Sequence, residues 1–262
     1  MSISKPLALL SVVSLPLLAV CGGGEKEAAA PPPATAAPAA GAPAAAAGGA
    51  AKGTASISGK ITYDGPVPAP EKVKLAADPK CQGMHPQGLE KQTVRVSSGG
   101  LADVFVWVKS GIAGTYPPPT DAVLLDQKGC TYVPHIIPVQ AGQPMKIRND
   151  DDTLHNIHPR PTVNQEFNIG QPRQGMESTH TFDKQEIMIP VGCDVHPWMR
   201  SYISVVGHPF FAVTKDDGTY EIKGLPAGDY EIEADHEKLK NTSGKVSVKD
   251  GEAAKLDLGF KG

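Results

Sequence analysis

Apolar and polar residues alternate along many short stretches of this chain, and no stretch shows a convincing helical spacing. Alternation with a period of two is typical of β-strands, whose successive side chains point to opposite faces. Turn pairs such as Asp64-Gly65 and Ser110-Gly111 separate the stretches. The pattern predicts strands at 56–63, 93–96, 103–109, 132–139, 144–149, 180–182, 186–191 and 201–206. Many short strands without a helix indicate an all-β sandwich.

The sequence changes in character near Phe210, where further short strands are joined by Asp-Gly and Pro-x-Gly turns. The stretch Asp217-Gly-Thr-Tyr-Glu-Ile-Lys-Gly-Leu-Pro-Ala-Gly-Asp-Tyr-Glu-Ile232 resembles the carboxypeptidase regulatory-like, transthyretin-type sandwich. The resemblance covers about residues 209–260 and implies a small accessory or adhesion module without chemistry of its own. We expect His236 to lie at the solvated polar edge of this module.

The first 21 residues have the composition of an export signal. Lys5 supplies the positive start, and the apolar stretch from Leu7 to Val20 is too short to span a bilayer stably. The stretch Leu17-Leu-Ala-Val-Cys21 resembles a bacterial lipobox, which implies that Cys21 is lipidated and becomes the first residue after cleavage. The alternative is a plain secretory signal that is cut near this point. The lipobox predicts an exported lipoprotein, anchored in a membrane and facing the periplasm or the cell surface.

Residues 22–54 are almost entirely Ala, Pro and Gly. Such a segment cannot bury enough apolar surface to offset the entropy of ordering it, so we expect an extended tether. The predicted organisation is therefore a signal peptide at 1–21, a tether at 22–54, a first sandwich at 55–207 and a second at 208–262. The formal net charge of −3 gives no basic field for nucleic acid, so no nucleic-acid partner is expected.

The stretch Cys193-Asp-Val-His-Pro-Trp-Met199 carries three candidate metal ligands at spacings of three residues. A thiolate, an imidazole and a weak thioether are the ligands that a mononuclear electron-transfer copper takes from one loop. A second imidazole has to come from elsewhere, and Asp152-Thr-Leu-His155-Asn-Ile-His158 offers two. We favour His155 over His158. A spacing of three does not place both on one strand face, so both could point at one metal only through a curved loop.

Residues 132–206 resemble the cupredoxin, or blue-copper, family. The matching pieces are Tyr132-Val-Pro, Val139-Gln-Ala-Gly142, Ile147-Arg-Asn-Asp-Asp151, His155-Asn156, the stretch from Cys193 to Met199, and the closing strand Tyr202-Ile-Ser-Val-Val206. The resemblance implies a Greek-key β-sandwich that holds one type 1 copper.

The family's ligand roles carry over to matching positions of this sequence. They imply that His155, Cys193 and His196 are the equatorial ligands and that Met199 is the long axial ligand. They also imply that Asn156 ties the two ligand loops together. We expect Pro197 to stiffen the loop, Trp198 to shield the site, and the ring edge of His196 to pass electrons.

Other metal classes fit the sequence less well. A binuclear copper centre needs a second Cys at position 189, which is Ile, and a multicopper oxidase needs His on both sides of Cys193. Zinc is disfavoured because Met is a poor zinc ligand. The predicted function is one-electron transfer, without enzyme activity, to a periplasmic redox protein or cytochrome. The alternatives are a copper carrier or sensor with the same ligands, or a surface scaffold whose C-terminal module binds glycan or protein.

The chain has four cysteines, of which Cys21 is assigned to lipid and Cys193 to the metal. The remaining two, Cys81 and Cys130, are candidates for a disulfide, because an exported protein meets an oxidising compartment. The alternative gives Cys81 a metal role together with His85. Packing and local hydrogen bonds account for His135 and His208, which are flanked by Pro in apolar surroundings.

Overall fold

The computed structural model describes residues 52–75 and 78–262. The predicted signal peptide, Cys21 and nearly all of the predicted tether lie outside the described residues. The strands are β1 Ala55–Asp64, β2 Glu71–Lys72, β3 Glu90–Lys91, β4 Val96–Ser97, β5 Gly100–Leu101, β6 Phe105–Ser110, β7 Val123–Gln127, β8 Tyr132–Val133, β9 Ile136–Gln140, β10 Pro144–Asn149, β11 His155–Pro159, β12 Ile169–Gln171, β13 Glu177–Thr181, β14 Glu186–Gly192, β15 Arg200–Val206, β16 Phe211–Val213, β17 Thr219–Leu225, β18 Gly228–His236, β19 Lys240–Val248, β20 Ala253–Lys255 and β21 Leu258–Lys261; the helix is α1, Pro79–Met84.

The all-β class that the alternation predicts is confirmed. In a first sandwich, one sheet has the strand order β13-β10-β7-β8 and the other has the order β12-β11-β14-β15-β9. The residues buried between them include Leu125, Ile137, Val139, Met145, Ile147, Ile157, Phe182, Ile189, Val191, Ile203 and Val205. They come from alternate positions of their strands, which is how a strand presents one apolar face to a core. Cys193 and Met199 belong to the same buried cluster.

A second sandwich is built from both ends of the described chain. β1 pairs with β17, β20 and β21, and a second sheet has the strand order β16-β6-β18-β19. The predicted boundary at 207/208 therefore does not follow the hydrogen-bonded sheets, because β1 and β6 share sheets with the C-terminal strands. Alternation shows which face of a strand is apolar but not which strand lies beside it.

Strand β6 is buried on both faces and joins the two sandwiches. Val106 and Val108 lie in the core of the second sandwich. Phe105 and Trp107 point the other way and pack with Ile136 of β9, along with Val206 of β15. The same alternation thus supplies two cores from one strand.

The helix α1 was not anticipated from the alternation. Asp78 caps its N-terminus, where the side chain accepts hydrogen bonds from the backbone N–H groups of Lys80 and Cys81. Pro79 occupies the first turn, where its missing N–H costs nothing. In the part of the chain that the structure describes, no helix has the length and apolar character that crossing a bilayer requires.

The expectation of a solvated His236 is wrong. This residue ends β18 and is 3% exposed. Its Nδ1 accepts hydrogen bonds from the backbone N–H groups of Lys238 and Leu239 in the following turn, and its ring lies 6.2 Å from that of Phe260. The turn of the β18–β19 hairpin folds over the ring, a local contact that strand alternation does not reveal.

Candidate metal centre

Strand pairing brings the two candidate ligand segments to the same end of the first sandwich. β11 begins at His155 and pairs with β14, which ends one residue before Cys193. The loop from Cys193 to Met199 then joins β14 to β15. It is tightened by a hydrogen bond of 2.9 Å from the N–H of Met199 to the carbonyl of His196. The loop therefore returns its side chains towards the start of β11.

Three of the predicted ligands converge at this end. The Nδ1 atoms of His155 and His196 lie 2.9 Å apart, and Cys193 Sγ lies 3.7 Å from Nδ1 of His196. All three residues are buried, as is Met199. His158 lies outside the group: its Nδ1 is 3.0 Å from an oxygen of Asp194 and its Nε2 is 2.6 Å from one of Glu166. These distances favour His155 over His158 as the second imidazole.

Each converging imidazole is held from behind by a carboxylate. Asp151 Oδ2 lies 2.9 Å from Nε2 of His155, and Asp78 Oδ2 lies 2.9 Å from Nε2 of His196. An ionised carboxylate only accepts hydrogen bonds, so each Nε2 carries a hydrogen, and Nδ1 is the ring nitrogen that can bind a metal. The two Nδ1 atoms and the sulfur of Cys193 thus face one another. Such a group of donors is stabilised by a cation between them.

The protonation of the site follows from the same contacts. Burial raises the pKa of the Cys193 thiol, but hydrogen bonds from His155 and His196 outweigh it and lower this pKa to about 6. Burial lowers the pKa of both imidazoles. At His155, Asp151 and Cys193 outweigh burial and raise the pKa above its ordinary value. At His196, Cys193 and Asp78 do the same. The site therefore favours the thiolate, which is the form that binds metal.

Asn156 lies between the two ligand segments, where the predicted tie requires it. Its Oδ1 accepts a hydrogen bond of 2.7 Å from the N–H of Asp194 and lies 3.2 Å from Cys193 Sγ. Its Nδ2 donates to Asn168, and its carbonyl accepts from the hydroxyl of Tyr132. One side chain thus connects the residue after His155 with the residue after Cys193.

The structure joins Cys81 and Cys130 in a disulfide with an S–S distance of 1.95 Å. The alternative pairing of Cys81 with His85 in a metal site is therefore wrong. His85 Nε2 instead lies 2.7 Å from the carbonyl of Gly129, to which it donates a hydrogen bond. The two cysteines and Leu75 form a small buried cluster against which Trp198 packs.

The ring edge of His196, which is expected to pass electrons, does not lie at the surface. His196 is 1% exposed, because Asp78 covers its Nε2 and Cys81 Sγ lies 3.7 Å from the same atom. Trp198 covers another side, with its ring 5.0 Å from the imidazole and its Nε1 donating to the carbonyl of Cys130. Pro197 is exposed on the outside of the loop. The start of α1 thus forms a cover over this ligand.

Sequence reasoning missed Asp78 and Asp151 as parts of the site. Asp151 lies four residues before His155 in an acidic turn, which the sequence indicates only as a turn. Asp78 precedes Pro79, a combination that marks a helix start. No feature of the sequence shows that this capping residue meets a ring 118 residues away.

The donor set fits copper. A thiolate, two imidazoles and a buried thioether match the soft and borderline ligands of a mononuclear copper site. Donor separations of 2.9 and 3.7 Å are compatible with metal–ligand bonds of about 2.0–2.3 Å. Carboxylate partners behind metal-binding histidines are the usual outer support of such sites.

No family model matches this chain, and no curated protein matches it. Similar solved structures include a purple cupredoxin from Nitrosopumilus maritimus, with 22% identity and a TM-score of 0.28 over 32% of this chain and 99% of that one. A copper-containing nitrite reductase from Thermus scotoductus SA-01 has 20% identity and a TM-score of 0.29, over 38% of this chain and 25% of that one. A copper(I) amicyanin variant has 20% identity and a TM-score of 0.29, over 38% of this chain and 97% of that one. At these TM-scores, the likenesses carry no argument about the site.

Proposed function

We propose that this protein carries single electrons through one type 1 copper ion held by His155, Cys193, His196 and Met199. The observation that supports this most is the convergence of two Nδ1 atoms and one thiolate sulfur in a buried site. Bound copper would supply a change of one unit in oxidation state. The residues around it would hold the same donors in place in both states.

A rigid site suits electron transfer because little rearrangement accompanies the change in charge. Asp151, Asp78 and Asn156 fix the rings and the loop by hydrogen bonds of 2.7–2.9 Å. One donor lies at the start of β11 and three lie in the loop between β14 and β15, and both segments belong to one packed sandwich. Among the described residues, four candidate donors and the cover over His196 would surround the metal, which suits a carrier of electrons better than an enzyme.

The proposed setting is outside the cytoplasm. The export signal and the lipobox-like Cys21 suggest a lipoprotein that faces the periplasm or the cell surface and contacts the membrane only through its lipid. The proposed partner is a periplasmic redox protein or a cytochrome. The disulfide between Cys81 and Cys130 is in keeping with an oxidising compartment.

Cyclic voltammetry of the copper-loaded full chain, combined with a competing chelator, separates electron transfer from copper delivery. An electron carrier gives a reversible one-electron wave and keeps its copper in excess chelator. Loss of copper to the chelator without a reversible wave would instead support the alternative function of a copper carrier. His158→Gln is the matched control, because it removes a nearby imidazole that lies outside the ligand group, and it should leave the wave unchanged.

A further inference from the structure

The geometry points to a positioning role for Asp78 and Asp151, an inference that rests on the proposed copper function. We propose that these two carboxylates keep a hydrogen on Nε2 of both imidazoles, so that Nδ1 is the nitrogen left for the metal. We further propose that the disulfide between Cys81 and Cys130 joins the two carboxylate supports into one unit.

The support of His155 is built by the turn before Cys130. The backbone N–H of Gly129 donates to Asp151 Oδ1 at 2.7 Å, and that of Cys130 donates to Oδ2 at 2.8 Å. The N–H of Asp151 itself donates to Asn149 Oδ1 at 3.0 Å. The carboxylate is 5% exposed and cannot turn away from His155 without breaking these bonds.

The support of His196 repeats this arrangement at the start of α1. The backbone N–H groups of Lys80 and Cys81 both donate to Asp78 Oδ1 at 2.9 Å, which leaves Oδ2 for the ring. The N-terminal turn of α1 thus fixes which oxygen faces Nε2.

The disulfide connects the two supports through the residues that build them. Cys130 donates its N–H to the carboxylate behind His155, and Cys81 donates its N–H to the carboxylate behind His196. The bond between their sulfurs therefore holds together segments that belong to distant parts of the sequence, 49 residues apart.

The two carboxylates also bring negative charge close to the metal position. Within the described residues, the ion-pair partner of each is its histidine, and neither has a Lys or Arg within 4.0 Å. Uncompensated negative charge at a poorly solvated site favours the higher oxidation state of a bound metal. Loss of either charge should therefore raise the reduction potential.

The first test uses the metal-free protein and nitrogen NMR of the histidine rings. The wild type should show hydrogen on Nε2 of both His155 and His196. Asp78→Asn keeps a good helix cap, because Asn caps as well as Asp. Its amide nitrogen, however, faces the ring and donates to Nε2, so the hydrogen of His196 should move to Nδ1 while His155 stays unchanged.

The second test measures copper binding and reduction potential in the full-length variants. Asp78→Asn should lower the copper affinity by about 10–100-fold, the usual effect of losing such a partner, and should raise the potential. Asp78→Ser keeps a cap but is too short to reach the ring, so it should weaken binding without reversing the tautomer. Asp152→Asn is the matched control: it removes a carboxylate whose side chain is 84% exposed and which has no histidine contact.

An unchanged tautomer and copper affinity in Asp78→Asn would overturn the positioning role, as would equal changes in Asp152→Asn. The two proposals fail in different ways. A wild type with the expected tautomers that binds no copper contradicts the proposed function. A wild type that binds copper but carries no hydrogen on Nε2 of these rings when metal-free contradicts the positioning role alone.

Discussion

Asp78 Oδ2 lies 2.9 Å from His196 Nε2, although the two residues are 118 positions apart. This contact places the start of α1 over the ring of His196, which is 1% exposed. A redox partner would therefore meet the cover, with the Cys81–Cys130 disulfide and Trp198, before it meets His196.

Loss of the disulfide should destabilise the protein and loosen the cover. The bond closes a loop of 49 residues, for which chain entropy gives about 4 kcal/mol. The double variant Cys81→Ser, Cys130→Ser should therefore lower the free energy of unfolding by up to about 4 kcal/mol in denaturant titrations. An unchanged midpoint and slope would contradict this prediction.

Removal of the Met199 thioether should alter the reduction potential of the bound copper but should not remove its thiolate-to-copper absorption. Met199→Leu removes a weak donor that stabilises the oxidised metal, so the reduction potential should rise while the colour persists. Met145→Leu makes the same chemical change in the same buried cluster, on strand β10 rather than in the ligand loop, and serves as the control. Equal potentials in the two variants would exclude Met199 as a ligand.

The pair His135 and Glu237 should make stability depend on pH. Its Nε2 and Oε1 atoms lie 2.7 Å apart. Burial lowers the pKa of His135, but Glu237 outweighs it and raises this pKa. Burial raises the pKa of Glu237, but His135 outweighs it and lowers that pKa; Asp103, His236 and Tyr202 also face the pair.

The stabilisation is fully present between the unfolded pKa values, about 4.3 for Glu and about 6.5 for His. It is lost as pH rises through the folded pKa of His135, and also as pH falls through that of Glu237. Glu237→Gln should cost about 2 kcal/mol near pH 5.5 in unfolding titrations, and less near pH 9. A cost that is the same at both pH values would refute the pair's role.

Phe105 should be important for joining the two sandwiches. It is fully buried with Ile136 and Val206, and its ring lies 5.9 Å from that of Phe211. Phe105→Ala should lower the free energy of unfolding by about 3–5 kcal/mol. Val133→Ala, at a site that is 48% exposed, should change it by less than about 0.5 kcal/mol. Similar effects of the two variants would contradict the proposed packing.

The sequence predicted what depends on local pattern. Alternation located β1, β10 and β14 within a residue or two of their observed ends, and the spacing of the loop from Cys193 to Met199 singled out candidate ligands that the structure brings together. β7 went unpredicted, although its Val-Leu-Leu run is apolar. A short apolar run fits either a buried strand or part of a buried helix, and periodicity alone does not decide between them.

Features that depend on distant contacts were not predictable. The pairing of β1 with the C-terminal strands, and the cover of Asp78 over His196, join segments more than 100 residues apart. Local pattern contains no information about which edges meet. The burial of His196 and of His236 follows from contacts that the alternation does not reveal, which is why His236 was expected to be solvated.

The most direct test of the metal centre is the visible absorption and electron paramagnetic resonance of the full chain during titration with Cu(II). We expect one equivalent to saturate an intense thiolate-to-copper absorption band with narrow hyperfine splitting, and Cys193→Ala to abolish this band. A colourless protein, an ordinary tetragonal spectrum, or colour that persists in Cys193→Ala would contradict the proposed type 1 copper centre.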